Sequence, residues 1–481
     1  MIIYKTLRCN LAFFIPVYIL LFSSCSSKNA DISGDSPWKK MDLIVKSIPQ
    51  TKFSDKSYNI KDYGAVADGT TLNTGAFEKA IKECAENGGG KVIVPNGKYL
   101  TGAIHLESNV NLHLDDNAEI LFSTNPKDYP IVHTSFEGTE VMNYSPLVYA
   151  KNKTNVAITG KGILNGQANS SNWWVWSGGK SYGWQKGIPS QNDPANREVL
   201  VDMAEKGVPV TERVFGEGRY LRPNFIEFFE CNTVLIKDIK VINAPFWILH
   251  PMKSNNIIID GVTVNSHGPN NDGCDPEYSQ NIIIKNCVFN TGDDCIAIKS
   301  GRDADGRRVA IPSKNIIVQK CKMIDGHGGV VIGSEISAGV NNVFVENCIM
   351  DSPNLDRAIR IKTNSKRGGV IEDVYVRNLE VGTVKECVLK LNMFYNVYGS
   401  QTGSFIPVIR NISLENVTVK KAGKYGVWAE GYKESPVENV TLKNVVIEKA
   451  DSIYLLKNIK NFNFINTYIN EKKVESIKKL N

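Results

Sequence analysis

Three aspartates, a histidine and two cationic side chains fall within one stretch of the chain. They occur as Asn270-Asn271-Asp272, Gly292-Asp293-Asp294-Cys295, Gly326-His327-Gly328 and Arg360-Ile361-Lys362. Carboxyls at close quarters do not all ionise freely: like charges raise one pKa, while nearby cations hold the others down. A general acid and a general base need that split at a single pH. A guanidinium and an ammonium beside them suit a substrate that carries its own carboxylates. Taken singly, Asp-Asp reads as a turn, Gly-His-Gly as a loop and Arg-x-Lys as a solvated strand face. The chemistry exists only if the fold brings the four motifs to one place.

The repeat that carries them does so. Units open with a polar residue and a run of aliphatics: Asn256-Ile257-Ile258-Ile259, Asn281-Ile282-Ile283-Ile284, Asn315-Ile316-Ile317-Val318 and Asn342-Val343-Phe344-Val345. Thr233 opens an earlier unit, and Asp373, Asn411 and Asn439 open later ones. The period drifts because loops such as 302–312, 364–369 and 398–407 lengthen some units. Short strands with loops of variable length indicate a parallel β-helix. Leucine-rich repeats need a leucine pattern and a helix per unit, and neither is present. Coils of a β-helix stack about 4.8 Å apart, so motifs that follow the strand at similar offsets line up on one side. In Arg360-Ile361-Lys362 the period of two sends Ile359 and Ile361 inward and both cations outward. Gly292 supplies the bulge or turn that brings Asp293 and Asp294 out together. Cys287, Cys321 and Cys348 share an offset that holds valine or leucine in other units. They are therefore expected as buried thiols, not disulfides.

Other stretches frame this array. Ala76, Phe77, Ala80, Ile81 and Cys84 recur at helical spacing before Gly88-Gly89-Gly90, predicting a helix that plugs the first coil. Residues 165–222 break the rhythm with Trp173, Trp174, Trp176, Tyr182, Trp184 and Tyr220. That insertion is too aromatic for a disordered loop. At the N-terminus, Lys5 and Arg8 precede an apolar run ending in Ser23-Ser24-Cys25. This reads as a lipoprotein-type signal over residues 1–24, with Cys25 lipidated and the bland alternative an uncleaved anchor. Residues 25–56 are expected as a flexible tether, and 57–481 as one β-helix domain. The protein is then exported and held in a bacterial envelope through its lipid alone. The net charge of +6 is spread without a dense basic run, which argues against nucleic acid and permits an acidic polymer.

The four motifs, in this order, resemble those of the polygalacturonase family of glycoside hydrolases (family 28). That family carries Asn-Thr-Asp, Gly-x-Asp-Asp, Gly-His-Gly and Arg-Ile-Lys; here Asn271 stands where threonine is usual. The resemblance covers nearly everything after the tether, including Asp62-Tyr63-Gly64-Ala65. It implies an all-β, right-handed parallel β-helix with an N-terminal capping helix, which hydrolyses α-1,4-galacturonosyl bonds in pectin with inversion. It implies Asp293 as general acid, Asp272 and Asp294 as activators of water, and His327 tuning the acid. Arg360, Lys362 and Asn270 would bind substrate, with no metal or cofactor. Family members that act on chain ends carry extra loops around the site. The insertion therefore leads us to expect exo action on pectic polysaccharide or oligogalacturonate, by a monomer. Endo cleavage and rhamnogalacturonan hydrolysis are the alternatives within the family. A calcium-dependent pectate lyase is a rival on the same fold, and a non-catalytic glycan-binding β-helix is a rival of another class.

Overall fold

The computed structural model describes residues 36–396 and 402–480. The expected signal segment, Cys25 and the first part of the expected tether lie outside the described residues. Among the described residues, no helix is long and apolar enough to cross a membrane.

The chain winds into a right-handed parallel β-helix. One wall is a ladder through Val156, Val234, Ile257, Ile282, Ile316, Val343, Val374, Ile412 and Val440, paired in parallel register. These side chains point inward, and the interior is a continuous stack of aliphatic and aromatic groups. The polar residue that opens each unit now has a physical reason. Asn256, Asn281, Asn315 and Asn342 all adopt left-handed backbone, with φ between 55° and 59°. Asparagine tolerates this better than most residues. Their amides also bond from coil to coil, Asn281 to Asn256 at 3.3 Å, Asn315 to Asn281 at 2.8 Å and Asn342 to Asn315 at 3.1 Å. A second corner repeats the device through Asn347, Asn378, Asn416 and Asn444. Cys287, Cys321 and Cys348 are buried free thiols along the interior.

The helix Thr74–Glu86 buries Ala76, Phe77, Ala80, Ile81 and Cys84 over the first coil and ends at Asn87, before Gly88. The tether expectation needs correction. Residues 37–47 form a helix, Pro37–Ser47, capped by Ser36. It is packed, not free. The middle residue of each aliphatic triple faces outward, leaving Ile258, Ile283, Ile317 and Phe344 as an apolar stripe on the outside. Met41 and Ile48 bury against that stripe. Trp38 meets Phe344 edge-on at 6.0 Å and lies under Arg377 at 3.9 Å.

A second wall bears the motifs. It runs through Ile226–Phe229, Leu249–Met252, the bridged segment Cys274 to Glu277, Ile296–Ile298, Val330–Gly333, Arg357–Lys362 and Cys387–Asn392. Its outward positions form one line across the coils: Tyr149, Glu227, His250, Asp275, Ala297, Val331, Arg360, Lys390 and Trp428. A hairpin, Ile131–Phe136 with Thr139–Tyr144, lies outside the stack. The aromatic insertion folds beside it, with a shared core of Phe136, Val141, Leu200, Phe215, Phe246 and Trp247.

Candidate active site

The turns that carry the motifs meet because their backbones touch. A Cβ on Gly292 would lie 2.6 Å from Gly268 O, and one on Gly326 would lie 2.5 Å from Asp293 O. Only glycine permits that approach. The result brings Asp272, Asp293 and Asp294 together, with one oxygen of each within 4.8 Å of the others. Asp272 and Asp294 are buried, and Asp293 is half-buried.

Each carboxyl faces its own cation. His327 Nδ1 lies 3.1 Å from Asp293 Oδ1, and Lys362 Nζ donates to Asp294 Oδ2 at 2.7 Å. Lys299 Nζ stands 3.7 Å from Asp272 Oδ2, and also faces Asp275 at 3.8 Å and Glu335 at 3.2 Å. Arg360 reaches Asp294 Oδ1 at 4.0 Å. Arg360 and Lys362 both lie 5.2 Å from the Tyr395 ring.

These contacts separate the proton affinities. The hydrogen bond and charge of Asp293 push His327 up to about 9. Burial alone would raise Asp293, but the His327 contact outweighs it and holds this carboxyl below its ordinary range. Burial, then the charge of Asp293, raises Asp272 well above it. Asp275 is raised by burial and by Asp272. Burial opposes the charge on Lys299, yet Glu335, Asp272 and Asp275 keep it protonated. The proton is thus favoured on His327 within its pair with Asp293, and burial favours the protonated form of Asp272 and Asp275. Among the described residues Asp272 Oδ1, Asp294 Oδ1 and Arg360 Nε are among the buried atoms that make no hydrogen bond. Buried polar atoms are rarely left so, and these suit a polar substrate. The trio could also ligate a divalent ion, as a calcium-dependent lyase would require. Such an ion would sit against three cations already paired with the same carboxyls, which opposes it electrostatically.

The motif residues do not all join the cluster. Asn270 Oδ1 accepts from Arg222 at 2.8 Å, tying the end of the insertion to the turn before Asp272. Asn271 is fully buried and accepts from Ser266 Oγ at 2.6 Å and Gly268 N at 2.9 Å. It holds that turn and does not face the cleft. The insertion contributes Tyr182, which lines a cavity of about 280 Å³ with His267, Gly292 and His327. Trp174 donates to Ala244 O at 2.8 Å and packs on Gly268. Lys299, Asp275 and Glu335 were absent from the sequence-derived set. For Lys299 the signal was present: Ile296 and Ile298 point inward, so Lys299 points outward by the alternation that placed Lys362.

A sequence model described as "Glycosyl hydrolases family 28" matches residues 216–468, and one described as "Rhamnogalacturonase A/epimerase, pectate lyase-like" matches residues 57–169. The chain is 30% identical over 412 residues to a "Probable polygalacturonase" of Vitis vinifera, covering 82% of this chain and 74% of the relative. It is 28% identical over 384 residues to the "Exo-poly-alpha-D-galacturonosidase" of Dickeya chrysanthemi, covering 76% of this chain and 62% of the other. The crystal structure of a hyperthermoactive exopolygalacturonase from Thermotoga maritima is 42% identical, with a TM-score of 0.88 over 92% of this chain and 98% of that one.

Proposed function

The chain belongs to glycosyl hydrolases family 28, and from that premise we propose that it removes galacturonate from the non-reducing ends of pectic chains. The reaction is hydrolysis of α-1,4-galacturonosyl bonds with inversion. The observation that carries this reading is that the three carboxyls sit in the turns just before the outward line, between its hairpin-covered stretch of Tyr149, Glu227 and His250 and its cationic stretch of Arg360 and Lys390. On one side of them that line lies under a hairpin; on the other no hairpin covers it among the described residues, and it carries Arg360 and Lys390 before reaching the half-buried Trp428. A cleft blocked at one side admits a chain terminus and excludes the middle of a polymer. The names of the Dickeya and Thermotoga relatives agree with exo action.

In this reading the His327–Asp293 pair is the acid. Its proton passes through Asp293 to the glycosidic oxygen as the bond breaks. Asp294, held by Lys362, takes a proton from the attacking water, and Asp272 orients that water. The carboxyls approach more closely than the roughly 6.5–9.5 Å usual for an inverting pair. The water therefore sits beside Asp272 and Asp294, not midway between two opposed carboxyls. Arg360 and Lys362 bind the carboxylate of the sugar on the leaving-group side through charge-assisted hydrogen bonds. Asn270 acts through Arg222 to fix the turn before Asp272.

Product analysis over time on polygalacturonate tests this. Monomer as the sole early product, first released as the β-anomer by proton NMR, is expected. A fast viscosity drop with mixed oligomers would overturn exo action, and the α-anomer would overturn inversion. We further propose that Cys25 is lipidated, that the protein is anchored in the bacterial envelope and that it acts as a monomer. Palmitate labelling lost in Cys25→Ala, and a solution mass of one chain, are the expected results.

A further inference from the structure

The blocked side of the cleft is built from a hairpin that has little of its own to hold it. Its two strands pair with each other, Ile131 with Tyr144 through Phe136 with Thr139. Among the described residues, its one ladder contact elsewhere is Met142 with Val214, in the insertion. An isolated two-stranded hairpin is marginal in water. Side chains must therefore seat it on the coils.

Beneath it lies a group that the chemistry described above does not use. His250 is completely buried, with Nδ1 3.0 Å from Glu227 Oε2 and Nε2 3.0 Å from Glu277 Oε2. The same two oxygens reach up to the hairpin: Thr134 Oγ1 donates to Glu227 Oε2 at 2.8 Å, and Ser135 Oγ to Glu277 Oε2 at 3.2 Å. Asn224 Nδ2 joins them, donating to Glu227 Oε2 at 2.7 Å and to Ser135 O at 3.1 Å. Two buried carboxylates side by side would repel, and an imidazolium between them removes that cost while bonding to both. Burial opposes the charge on His250, yet the glutamates push it up to about 9. Glu227 and His250 occupy the same outward line as Arg360, where such groups would ordinarily meet solvent or substrate. Here they meet the hairpin.

The hairpin's tip reaches the catalytic cluster. Arg302 N donates to Gly138 O at 2.9 Å, and Glu137 pairs with Arg302 at 3.1 Å and Arg197 at 3.4 Å. A Cβ on Gly138 would lie 2.8 Å from Glu335, and Glu335 faces the Lys299 that stands beside Asp272. Phe136 stacks on Phe246 at 4.9 Å, Phe246 stacks on Trp247, and Trp247 lies under Lys299.

We propose that Glu227, His250 and Glu277 are positioning residues that clamp the hairpin Ile131–Tyr144 across the cleft floor, so that the hairpin as well as the aromatic insertion sets where the chain end stops. This rests on the exo reading above. Because that wall is seated by polar contacts on a charged array, its specificity can be loosened without touching the carboxyls.

The test compares the wild type with Thr134→Val/Ser135→Ala, which removes only the hairpin's side of the clamp, and with His250→Gln. Glu277→Gln, which can still accept from Ser135, serves as the conservative control. Early products from polygalacturonate are resolved by length, kcat and KM are measured on polymer and on digalacturonate, and amide exchange is followed over 131–144. The double variant and His250→Gln are expected to raise the share of oligomers among first products about tenfold, with faster exchange in the hairpin. The value of kcat on digalacturonate should stay within about threefold, since no group at the scissile bond has changed. Glu277→Gln should stay nearer the wild type. If His250→Gln does not fold, the double variant decides. Monomer as the sole product of a folded double variant would overturn the clamp while leaving exo action standing. Mixed oligomers from the wild type itself would overturn exo action and the clamp with it.

Discussion

One line of outward-facing residues crosses the whole cleft wall, and its two halves are covered by different parts of the chain. Tyr149, Glu227 and His250 are buried beneath the hairpin, where Tyr149 donates to His133 O at 2.5 Å. Arg360, Lys390 and Trp428 occupy equivalent positions further along; Arg360 is buried beside Tyr395 and Lys390 beside Trp428, while Trp428 itself is half-buried. The backbone is the same in both halves. The difference is what covers it: a separate hairpin over one half, and aromatic side chains such as Tyr395 and Trp428 beside the other.

The largest effect is expected at the seam between the halves. Asp293→Asn should lower kcat roughly 100- to 10,000-fold while oligogalacturonate still binds. Near-wild-type turnover in the folded variant would place the acid elsewhere. On the side away from the hairpin, Arg360→Ala and Lys362→Ala should each lower kcat/KM on oligogalacturonate about 10- to 100-fold. The two should differ in kind. Lys362 also neutralises Asp294, so its loss falls mainly on kcat, whereas Arg360 falls mainly on KM. Full kcat/KM in both variants would show that substrate does not lie against these two cations.

Further along the same half, Lys390 Nζ lies 3.6 Å from the Trp428 ring centroid. An aromatic face beside a cation suits a sugar that carries a carboxylate. Trp428→Ala should raise KM on polymer about two- to tenfold and leave digalacturonate unchanged. An equal effect on both substrates would mean that only folding had been disturbed. The smallest effect concerns the two imidazoles, each pushed up to about 9, one sealed and one at the seam. His327 is raised in the folded state, so its pairing adds stability below the unfolded value of about 6.5 and loses it as pH rises through about 9. The Tm gap between wild type and His327→Gln should therefore be small, widest near pH 6 and closed by about pH 10. A gap that widens above pH 9 would contradict the pairing with Asp293.

The motifs were legible because alternation and coil stacking act over short distances. Ile359 and Ile361 point inward, and that fixed where Arg360 and Lys362 point. The same rule applied to Ile296-Ala297-Ile298 would have given Lys299. Other features depended on partners distant in sequence. Alternation within 131–144 indicates strands but not what they lie upon, since Thr134 and Ser135 meet glutamates on two later coils. The helix Pro37–Ser47 was read as tether because its composition is polar overall. Its cause lay in the middle residue of each aliphatic triple, which a pattern of inward positions leaves unexplained. Asn270, a substrate ligand by the family resemblance, also accepts from Arg222 at the far end of a long insertion, a contact that no local pattern shows.

That helix has a mechanical consequence. In a stacked repeat each coil touches only its neighbours, so a stack can fray or open locally. An 11-residue helix at about 1.5 Å per residue is roughly 16 Å long, close to three coil-to-coil steps of about 4.8 Å. Its apolar side runs from Phe344 back to Ile258, across the four coils that open at Asn256, Asn281, Asn315 and Asn342. Those are the coils that carry Asp272, Asp293, His327 and Arg360. The helix is thus a splint on the outer face of the stack, making coils that are not neighbours yield together or not at all, and holding the pitch on which the spacing of the carboxyls depends.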